Sequence, residues 1–225
     1  MTRKKQHDVK VTDTRKILKP QTKNQASYIR DIAENDITFC TGPAGTGKTA
    51  IAVGMACEYL LEGRIEKVII TRPIIESGRG IGFLPGSAME KVHPYMVPVI
   101  EEMEEYLGKE ALHRYRSTDV IQVCPLEYMR GRNFHNAFVI LDEAQNCTIK
   151  QIKMFITRIG KNSKVVLNGD IDQVDLPEYC RDSFKRCINA AENMEHIAVS
   201  YLRYEDIVRS HTYGELLRAL NKLGD

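Results

Sequence analysis

The sequence predicts an α/β fold, a parallel β-sheet sandwiched by helices within a single domain. Six apolar or β-branched runs of about five residues alternate along the chain with longer segments of helical spacing. Short, nearly continuous apolar runs are typical of strands buried on both faces, and their alternation with helices indicates a parallel sheet. The length of 225 residues, with 43% apolar and 28% charged residues, is that of one soluble globular domain.

The predicted elements have the following bounds. The strands are 37–41, 67–71, 120–124, 138–141, 164–168 and 196–200. The helices are 48–62, 93–107, 148–159, 182–193 and 207–223. Residues 72–92 are rich in Gly and Pro and are predicted to form a long loop, and loops of that length are usually functional or disordered.

Charge is unevenly distributed along the chain. Residues 1–24 contain eight Lys or Arg and two Asp, a net charge of +6, whereas the whole chain carries +2. We therefore expect a basic, flexible N-terminal arm over residues 1–19, followed by the folded domain over residues 20–225. Such an arm either seeks phosphate groups or is simply solvated, and the sequence leaves both possibilities open.

Composition argues against several classes of protein. No apolar run approaches the roughly 18 residues that a membrane helix needs, and no apolar segment follows the basic N-terminus as it does in a secretory signal. The six cysteines lack CxxC pairs, so reduced thiols are expected rather than a structural metal site. We expect a cytoplasmic protein without a membrane partner.

A glycine-rich segment lies between the first predicted strand and the first predicted helix. It fits the pattern G-x-x-x-x-G-K-[ST] in the strand-loop-helix context that a phosphate-binding loop (P-loop) requires. Glycines let consecutive backbone N–H groups converge on phosphate oxygens, and the helix adds the positive end of its dipole. The lysine is expected to reach the β- and γ-phosphates of ATP, and the threonine hydroxyl is expected to bind Mg²⁺. The residues of this candidate P-loop are Gly42, Pro43, Ala44, Gly45, Thr46, Gly47, Lys48 and Thr49.

Two carboxylates follow the apolar strand at 138–141. Ligands bind at the C-terminal edge of a parallel sheet, so we expect Asp142 to hold magnesium and Glu143 to orient and deprotonate the attacking water. Without the P-loop, this pair would be interpreted as an ordinary helix start. After the next strand, Gln173 either senses the γ-phosphate or the attacking water, or is solvated beside a turn. Together the motifs predict ATP hydrolysis.

The order of these motifs resembles that of known families. G-P-A-G-T-G-K-T, I-T-R-P at 70–73, D-E-A-Q at 142–145 and G-D-x-x-Q at 169–173 are similar to the first motor domain of superfamily 1 helicases. The chain more closely resembles the PhoH family of phosphate-starvation-inducible ATPases, including the short forms found in bacteriophages. This resemblance rests on E-S-G-R-G-I-G-F-L-P-G at 76–86, M-R-G-R at 129–132 and D-I-V-R at 206–209. It implies a RecA-like P-loop NTPase, located in the host cytoplasm if a phage encodes it.

The resemblance also implies roles for single residues. Gln25 lies 17 positions before Gly42, as in the family's adenine-contacting segment; the alternative is a solvated side chain in a polar linker. Arg209 matches an arginine that neutralises charge on the transferring phosphoryl group, although a surface pair with Glu205 at i, i+4 is an equal alternative. Because one motor domain is present, this arginine is expected to come from a neighbouring subunit, which implies self-association, for example as a hexameric ring.

A nucleic-acid track is implied in the same way. Arg72 and Arg79 are expected to contact phosphates, and Phe83 either stacks on a base or anchors its loop to the core. Arg130 and Arg132 are further candidates for this track. The implied function is Mg-dependent ATP hydrolysis coupled to a single-stranded nucleic acid, RNA rather than DNA, in a helicase-like manner. The alternatives are a nucleotide-gated oligomeric scaffold and a small-molecule phosphotransferase, and the hydrolytic motifs favour neither.

Overall fold

The computed structural model describes residues 16–74 and 88–208, together with residues 215, 216 and 219. Within these residues, six strands form one parallel sheet in the order β3-β2-β4-β5-β1-β6. Each strand lies within one residue of its predicted bounds, so the α/β fold class is confirmed. The strands are β1 (Ile37–Thr41), β2 (Lys67–Arg72), β3 (Ile121–Pro125), β4 (Ala137–Leu141), β5 (Lys164–Gly169) and β6 (Ile197–Tyr201).

Helices cover both faces of the sheet. Because strand side chains alternate in direction, Ile70 and Ile140 pack with residues of α1 to α4, whereas Ile69 and Val139 pack with residues of α5 and α6. All four of these side chains are fully buried, and burial of this kind stabilises by roughly 25 cal/mol per Å² of apolar surface. The predicted sandwich is therefore observed. The helices are α1 (Lys23–Glu34), α2 (Lys48–Leu61), α3 (Ala88–Leu107), α4 (Lys109–Ser117), α5 (Ile149–Ile156) and α6 (Ser183–Ala191).

Two helices, α1 and α4, are absent from the sequence prediction. Each buries few apolar side chains, which leaves only a weak helical period in the sequence: α1 buries Tyr28 and Ile32 with Gln25, and α4 buries Leu112. A start signal for α1 was nevertheless present. The Thr22 side chain accepts a hydrogen bond from the backbone N–H of Gln25, and a T-x-x-Q spacing is typical of a helix N-terminus.

The helix predicted over residues 207–223 begins later than predicted, because residues 207 and 208 are not helical whereas the described residues 215, 216 and 219 are. The chain forms a short 3₁₀ turn at Tyr204–Asp206, and Ile207 is then extended, with φ −68° and ψ 111°. Residues 209–214 lie outside the described part of the chain. The predicted loop at 72–92 is also too long, because α3 begins at Ala88 and accommodates Pro94 and Pro98 within its length.

Contacts with the domain begin before residue 20. The Lys16 ammonium group lies 2.6 Å from a carboxylate oxygen of Glu102 and 2.7 Å from one of Glu105, and Leu18 packs against the core beside α2. Within the predicted basic arm over residues 1–19, Lys16 therefore contacts α3 and Leu18 packs on the core, and residues 1–15 lie outside the described part. No helix in the described ranges is long and apolar enough to cross a membrane.

Strand order determines what meets at the C-terminal edge of the sheet. β5 lies between β1, which leads into the P-loop, and β4, which leads into Asp142. The end of β5, Asn168 and Gly169, is thus placed between the two motifs.

Candidate nucleotide site at the C-terminal edge of the sheet

The P-loop connects β1, which lies between β5 and the edge strand β6, to α2. Gly47 has φ +89°, a left-handed conformation that favours glycine, and a Cβ there would lie 3.2 Å from the Gln25 amide nitrogen. The Lys48 ammonium group donates to the carbonyl oxygens of Gly42 at 2.5 Å and Pro43 at 2.9 Å. The loop therefore has the strand-loop-helix geometry that its sequence predicts, with its lysine folded along it.

The two motifs meet across 93 positions of sequence. The Thr49 hydroxyl donates to Oδ1 of Asp142 at 2.8 Å, and Asp142 is 2% exposed. The Arg72 guanidinium donates to Oδ2 of the same carboxylate from Nε at 2.8 Å and from Nη2 at 2.5 Å, and it also donates to the Tyr95 carbonyl oxygen in α3. Arg72, predicted for the nucleic-acid track, thus lies in the nucleotide pocket and neutralises the carboxylate there.

Glu143 is held at the mouth of the pocket by its neighbour Gln145. Glu143 is exposed and has φ +56°, a strained conformation for a residue other than glycine and one that clusters at functional sites. The buried Gln145 amide donates to Oε2 of Glu143 at 2.7 Å, and its oxygen accepts from the backbone N–H of Asp170 at 3.1 Å. Gln145 therefore ties the predicted general base to the end of β5, a role that the sequence analysis missed although D-E-A-Q contains this residue.

Asp170 faces the P-loop. Burial raises the pKa of its carboxyl group, while hydrogen bonds from the backbone N–H groups of Asp172 and Ala44 and the charge of Lys48 act in the opposite direction. The Asp170 backbone carbonyl accepts from the N–H of Gln173 at 3.1 Å, and the exposed Gln173 lines the pocket. Both interpretations of Gln173, sensor and solvated side chain, are compatible with this position.

Helix α1 joins the P-loop to β5 through buried polar side chains. Gln25 is 3% exposed; its amide donates to the Thr46 carbonyl oxygen at 3.0 Å, and its oxygen accepts from the backbone N–H of Gln21 at 2.7 Å. Gln25 is therefore not a solvated residue of a linker, and its contact with adenine stays a prediction. One turn further along, the Tyr28 hydroxyl donates to Oδ1 of Asn168 at 2.6 Å.

Asp206 fastens the start of α1 to the segment after β6. Its buried carboxylate accepts from the Thr22 hydroxyl at 2.5 Å, from the Asn24 amide at 2.9 Å and from the backbone N–H of Arg203 at 2.7 Å. The sequence analysis recognised Asp206 only as part of the D-I-V-R motif. The structure shows it as the anchor of that segment.

A pocket of about 300 Å³ results from these contacts. Of the predicted catalytic and metal residues, Lys48, Thr49, Asp142, Glu143 and Gln173 all line it. The predicted residues Arg79, Phe83 and Arg209 lie outside the described part of the chain.

The residues that line the pocket fit a divalent cation bound together with phosphate. The hydroxyl oxygen of Thr49 and the carboxylate oxygen of Asp142 are adjacent, and Mg²⁺ usually takes one or two protein oxygens and completes its shell with waters and phosphate oxygens. In the described ranges no cluster of three or more His, Cys, Asp or Glu could hold a metal by itself. A metal at this edge would therefore take most of its ligands from water and phosphate oxygens.

Arg130 and Arg132 lie away from this pocket, after the edge strand β3. Arg132 is near the Phe134 ring, 5.0 Å from its centroid, and donates to the Gln122 side chain. With Arg116 and Tyr128 it lines a groove of about 630 Å³ along β3. The structure thus places these predicted nucleic-acid residues on a separate surface from Arg72.

Comparison with known proteins identifies a family. A family model described as PhoH-like protein matches residues 17–221. A PhoH-like protein of Mycobacterium tuberculosis is 41% identical over 204 residues, covering 91% of this chain and 58% of the relative. The PhoH-like protein of Bacillus subtilis is 40% identical over 207 residues (92% and 65%), and Protein PhoH of Escherichia coli K12 is 39% identical over 200 residues (88% and 56%). The chain spans less than two thirds of the length of each of these relatives.

Solved structures with the same fold include two bacteriophage proteins. The UvsW helicase of bacteriophage T4 matches with a TM-score of 0.52 at 14% identity, over 82% of this chain and 61% of the helicase. The large terminase of a thermophilic bacteriophage matches with a TM-score of 0.53 at 12% identity, over 89% of this chain and 50% of the terminase. At such identities the likeness shows a shared fold.

Proposed function

The chain belongs to the PhoH-like protein family, and from that premise we propose that it is a Mg-dependent ATPase whose turnover is coupled to a single-stranded nucleic acid, RNA in preference to DNA. The family and the fold identify a P-loop domain of the kind that uses nucleotides. We propose in addition that the nucleotide is ATP, that the metal is magnesium, and that hydrolysis is coupled to RNA.

The hydrogen bond between Thr49 and Asp142 carries the ATPase proposal. It joins the P-loop to the acidic strand end, as a site for a nucleotide and its metal requires. Thr49 and Asp142 would hold magnesium, which would supply positive charge to neutralise the phosphates. Lys48 would bind the β- and γ-phosphates, and Glu143, positioned by Gln145, would accept the proton of the attacking water.

Asp142, which would hold the metal, is paired with an arginine in this structure. Its carboxylate now faces the Arg72 guanidinium, whose side chain is 14% exposed. If Asp142 held a cation, the Arg72 guanidinium would be available to a phosphate oxygen. Arg72 is then a residue of the nucleotide site, and its contact with nucleic acid stays a prediction.

The groove along β3 supports the nucleic-acid part of the proposal. It combines the cationic side chains of Arg116 and Arg132 with the ring of Tyr128, which is 42% exposed. Cations that follow a phosphate backbone and aromatic rings that stack on bases are the two components of single-strand binding. The helicase and terminase that share the fold motivate the same assignment.

Steady-state ATPase assays with and without a single-stranded RNA homopolymer test both parts. Glu143→Gln is expected to lower kcat by at least about 100-fold while ATP still binds, because a general base contributes roughly 10²–10⁴-fold. Glu178→Gln changes an exposed glutamate outside the pocket and is the matched control. A wild-type protein without metal-dependent turnover refutes the ATPase proposal, and turnover that RNA does not raise refutes the coupling.

Competition with DNA and salt titration test whether RNA binding depends on the groove along β3 or only on the positive charge of the protein. Arg130→Ala with Arg132→Ala is expected to weaken RNA binding at least about tenfold and to reduce its salt dependence. Arg30→Ala, an exposed arginine on α1, serves as the control. Equal losses in both variants, or equal binding of RNA and DNA homopolymers, contradict the assignment.

Self-association is proposed through Arg209, which would act on the nucleotide of a neighbouring subunit. Light scattering during ATP binding measures the assembly, and mixing Arg209→Ala with Lys48→Ala subunits tests action in trans. Recovery of activity in the mixture supports the proposal. A fully active monomer refutes it.

A further inference from the structure

Asn168 is a polar side chain at the end of β5 that the roles described above do not use. It is fully buried, and its oxygen accepts from the Tyr28 hydroxyl at 2.6 Å. Its amide nitrogen Nδ2, also buried, has no hydrogen-bond partner among the described residues. A buried donor without a partner is costly, so such groups in native proteins call for an explanation.

The position of Asn168 supplies that explanation. β5 lies between the strand of the P-loop and the strand of Asp142, and Asn168 lines the same pocket as Lys48 and Asp142. Asn168 is paired in register with Cys40 of β1, two residues before the P-loop begins. Asn168 therefore lies between the P-loop and the acidic strand end.

Tyr28 determines which end of the amide faces the pocket. Burial raises the pKa of the Tyr28 phenol well above its usual value, so the hydroxyl stays protonated and can donate. Its donation fixes the Asn168 oxygen towards α1, which turns Nδ2 away from α1. Gln25 and Tyr28 are one turn apart on α1, so the same helix contacts both the P-loop and this amide.

We propose that Nδ2 of Asn168 donates a hydrogen bond to an oxygen of the γ-phosphoryl group of bound nucleotide, and that Tyr28 is the residue that positions it. This inference rests on the proposed ATPase function. Charge increases on those oxygens as the phosphoryl group is transferred, and a preorganised donor in a site shielded from water favours that state over the ground state. A nucleoside triphosphate also gives the buried N–H groups the acceptor that a diphosphate lacks.

Binding and turnover of variants test this assignment. For Asn168→Ala we expect the affinity for ADP to stay within about twofold, while kcat and the affinity for ADP with aluminium fluoride fall roughly 100-fold, the loss typical of one preorganised donor. Tyr28→Phe keeps the amide but not its orientation, so a fall of roughly tenfold is expected in the same two quantities with ADP affinity unchanged. Fluorescence titration with labelled nucleotide and steady-state hydrolysis measure these values.

Two further variants separate a phosphate contact from a structural role. Asn168→Asp keeps the shape and the acceptor for Tyr28 but places a negative oxygen where Nδ2 lies, so ATP affinity should fall more than ADP affinity. Tyr59→Phe is the matched control, because the Tyr59 hydroxyl is also a buried polar group without a partner in the described residues, and it lies outside the nucleotide pocket. This control should retain both affinities and kcat within about twofold.

The outcomes distinguish this inference from the proposed function. If wild type hydrolyses ATP and both Asn168 variants retain kcat and wild-type ratios of triphosphate to diphosphate affinity, the inference is overturned and the ATPase proposal stands. If wild type binds ATP without hydrolysis, the ATPase proposal fails, and the affinity ratios still decide whether Asn168 contacts the γ-phosphate. If Asn168→Ala does not fold, Asn168→Asp and Tyr28→Phe give the decision.

Discussion

Removal of the Asp206 carboxylate tests how the segment after β6 is held to the nucleotide site. Asp206 is 1% exposed and accepts three hydrogen bonds, two of them from side chains at the start of α1. Asp206→Ala leaves these three donors without their acceptor. Because Thr22 and Asn24 are only partly buried, water can satisfy part of the loss.

The magnitude follows from the number of bonds and their exposure. A hydrogen bond to a charged group contributes about 1.5–3 kcal/mol, and the sum for three bonds is an upper limit because two donors can be resolvated. We expect a loss of about 3–4 kcal/mol in the free energy of unfolding, the size found when one partner is removed from a buried polar network. For a chain of this length, that corresponds to a fall in Tm of roughly 6–16 °C.

Thermal melting and urea denaturation of three variants provide the assay. Asp206→Asn keeps one oxygen, which can preserve the bonds from Asn24 and the Arg203 N–H, so it should lose less than half as much as Asp206→Ala. Glu205→Ala removes the exposed neighbouring carboxylate and should stay within about 0.5 kcal/mol of wild type. If Asp206→Ala melts within about 2 °C of Glu205→Ala, the anchor does not stabilise the fold and this reasoning is refuted.

Three other changes probe the sheet edge and the core. Gln145→Leu removes the amide that holds Glu143, so kcat should fall about tenfold while the affinity for ATP is retained. Equal losses of kcat and of ATP affinity would show that the amide contributes to binding instead. Gly169→Ala would place a Cβ 2.5 Å from the ring of Phe184 in α6, so the free energy of unfolding measured with urea should fall by about 1–3 kcal/mol. An unchanged denaturation midpoint would mean that the ring moves aside freely. Burial raises the pKa of the Cys57 thiol to about 12, so this thiol stays protonated between pH 7 and 9. Thiol labelling followed by mass spectrometry should therefore modify the partly exposed Cys180 before Cys57. Early modification of Cys57 would contradict its burial.

The sequence predicts most accurately those features that are formed by one continuous segment of the chain. A P-loop is one continuous segment between a strand and a helix, so the pattern at 42–49 predicts its own backbone geometry. The strands were predicted within one residue because buried parallel strands are short apolar runs. Helix α1 was missed for the converse reason, since its buried face contains Gln25 and only two apolar residues.

The sequence by itself determined the fold class, through the alternation of apolar runs and helical segments along the chain, and it located the candidate P-loop and the acidic strand end, each within a few consecutive residues. Tertiary structure alone decided that Arg72 pairs with Asp142 and that Tyr28 holds Asn168, 70 and 140 positions away respectively. It likewise joined Thr22 to Asp206 across 184 positions. The physical reason is the strand order: β5 enters between β1 and β4, and neither hydrophobic period nor motif spacing encodes which strands become neighbours.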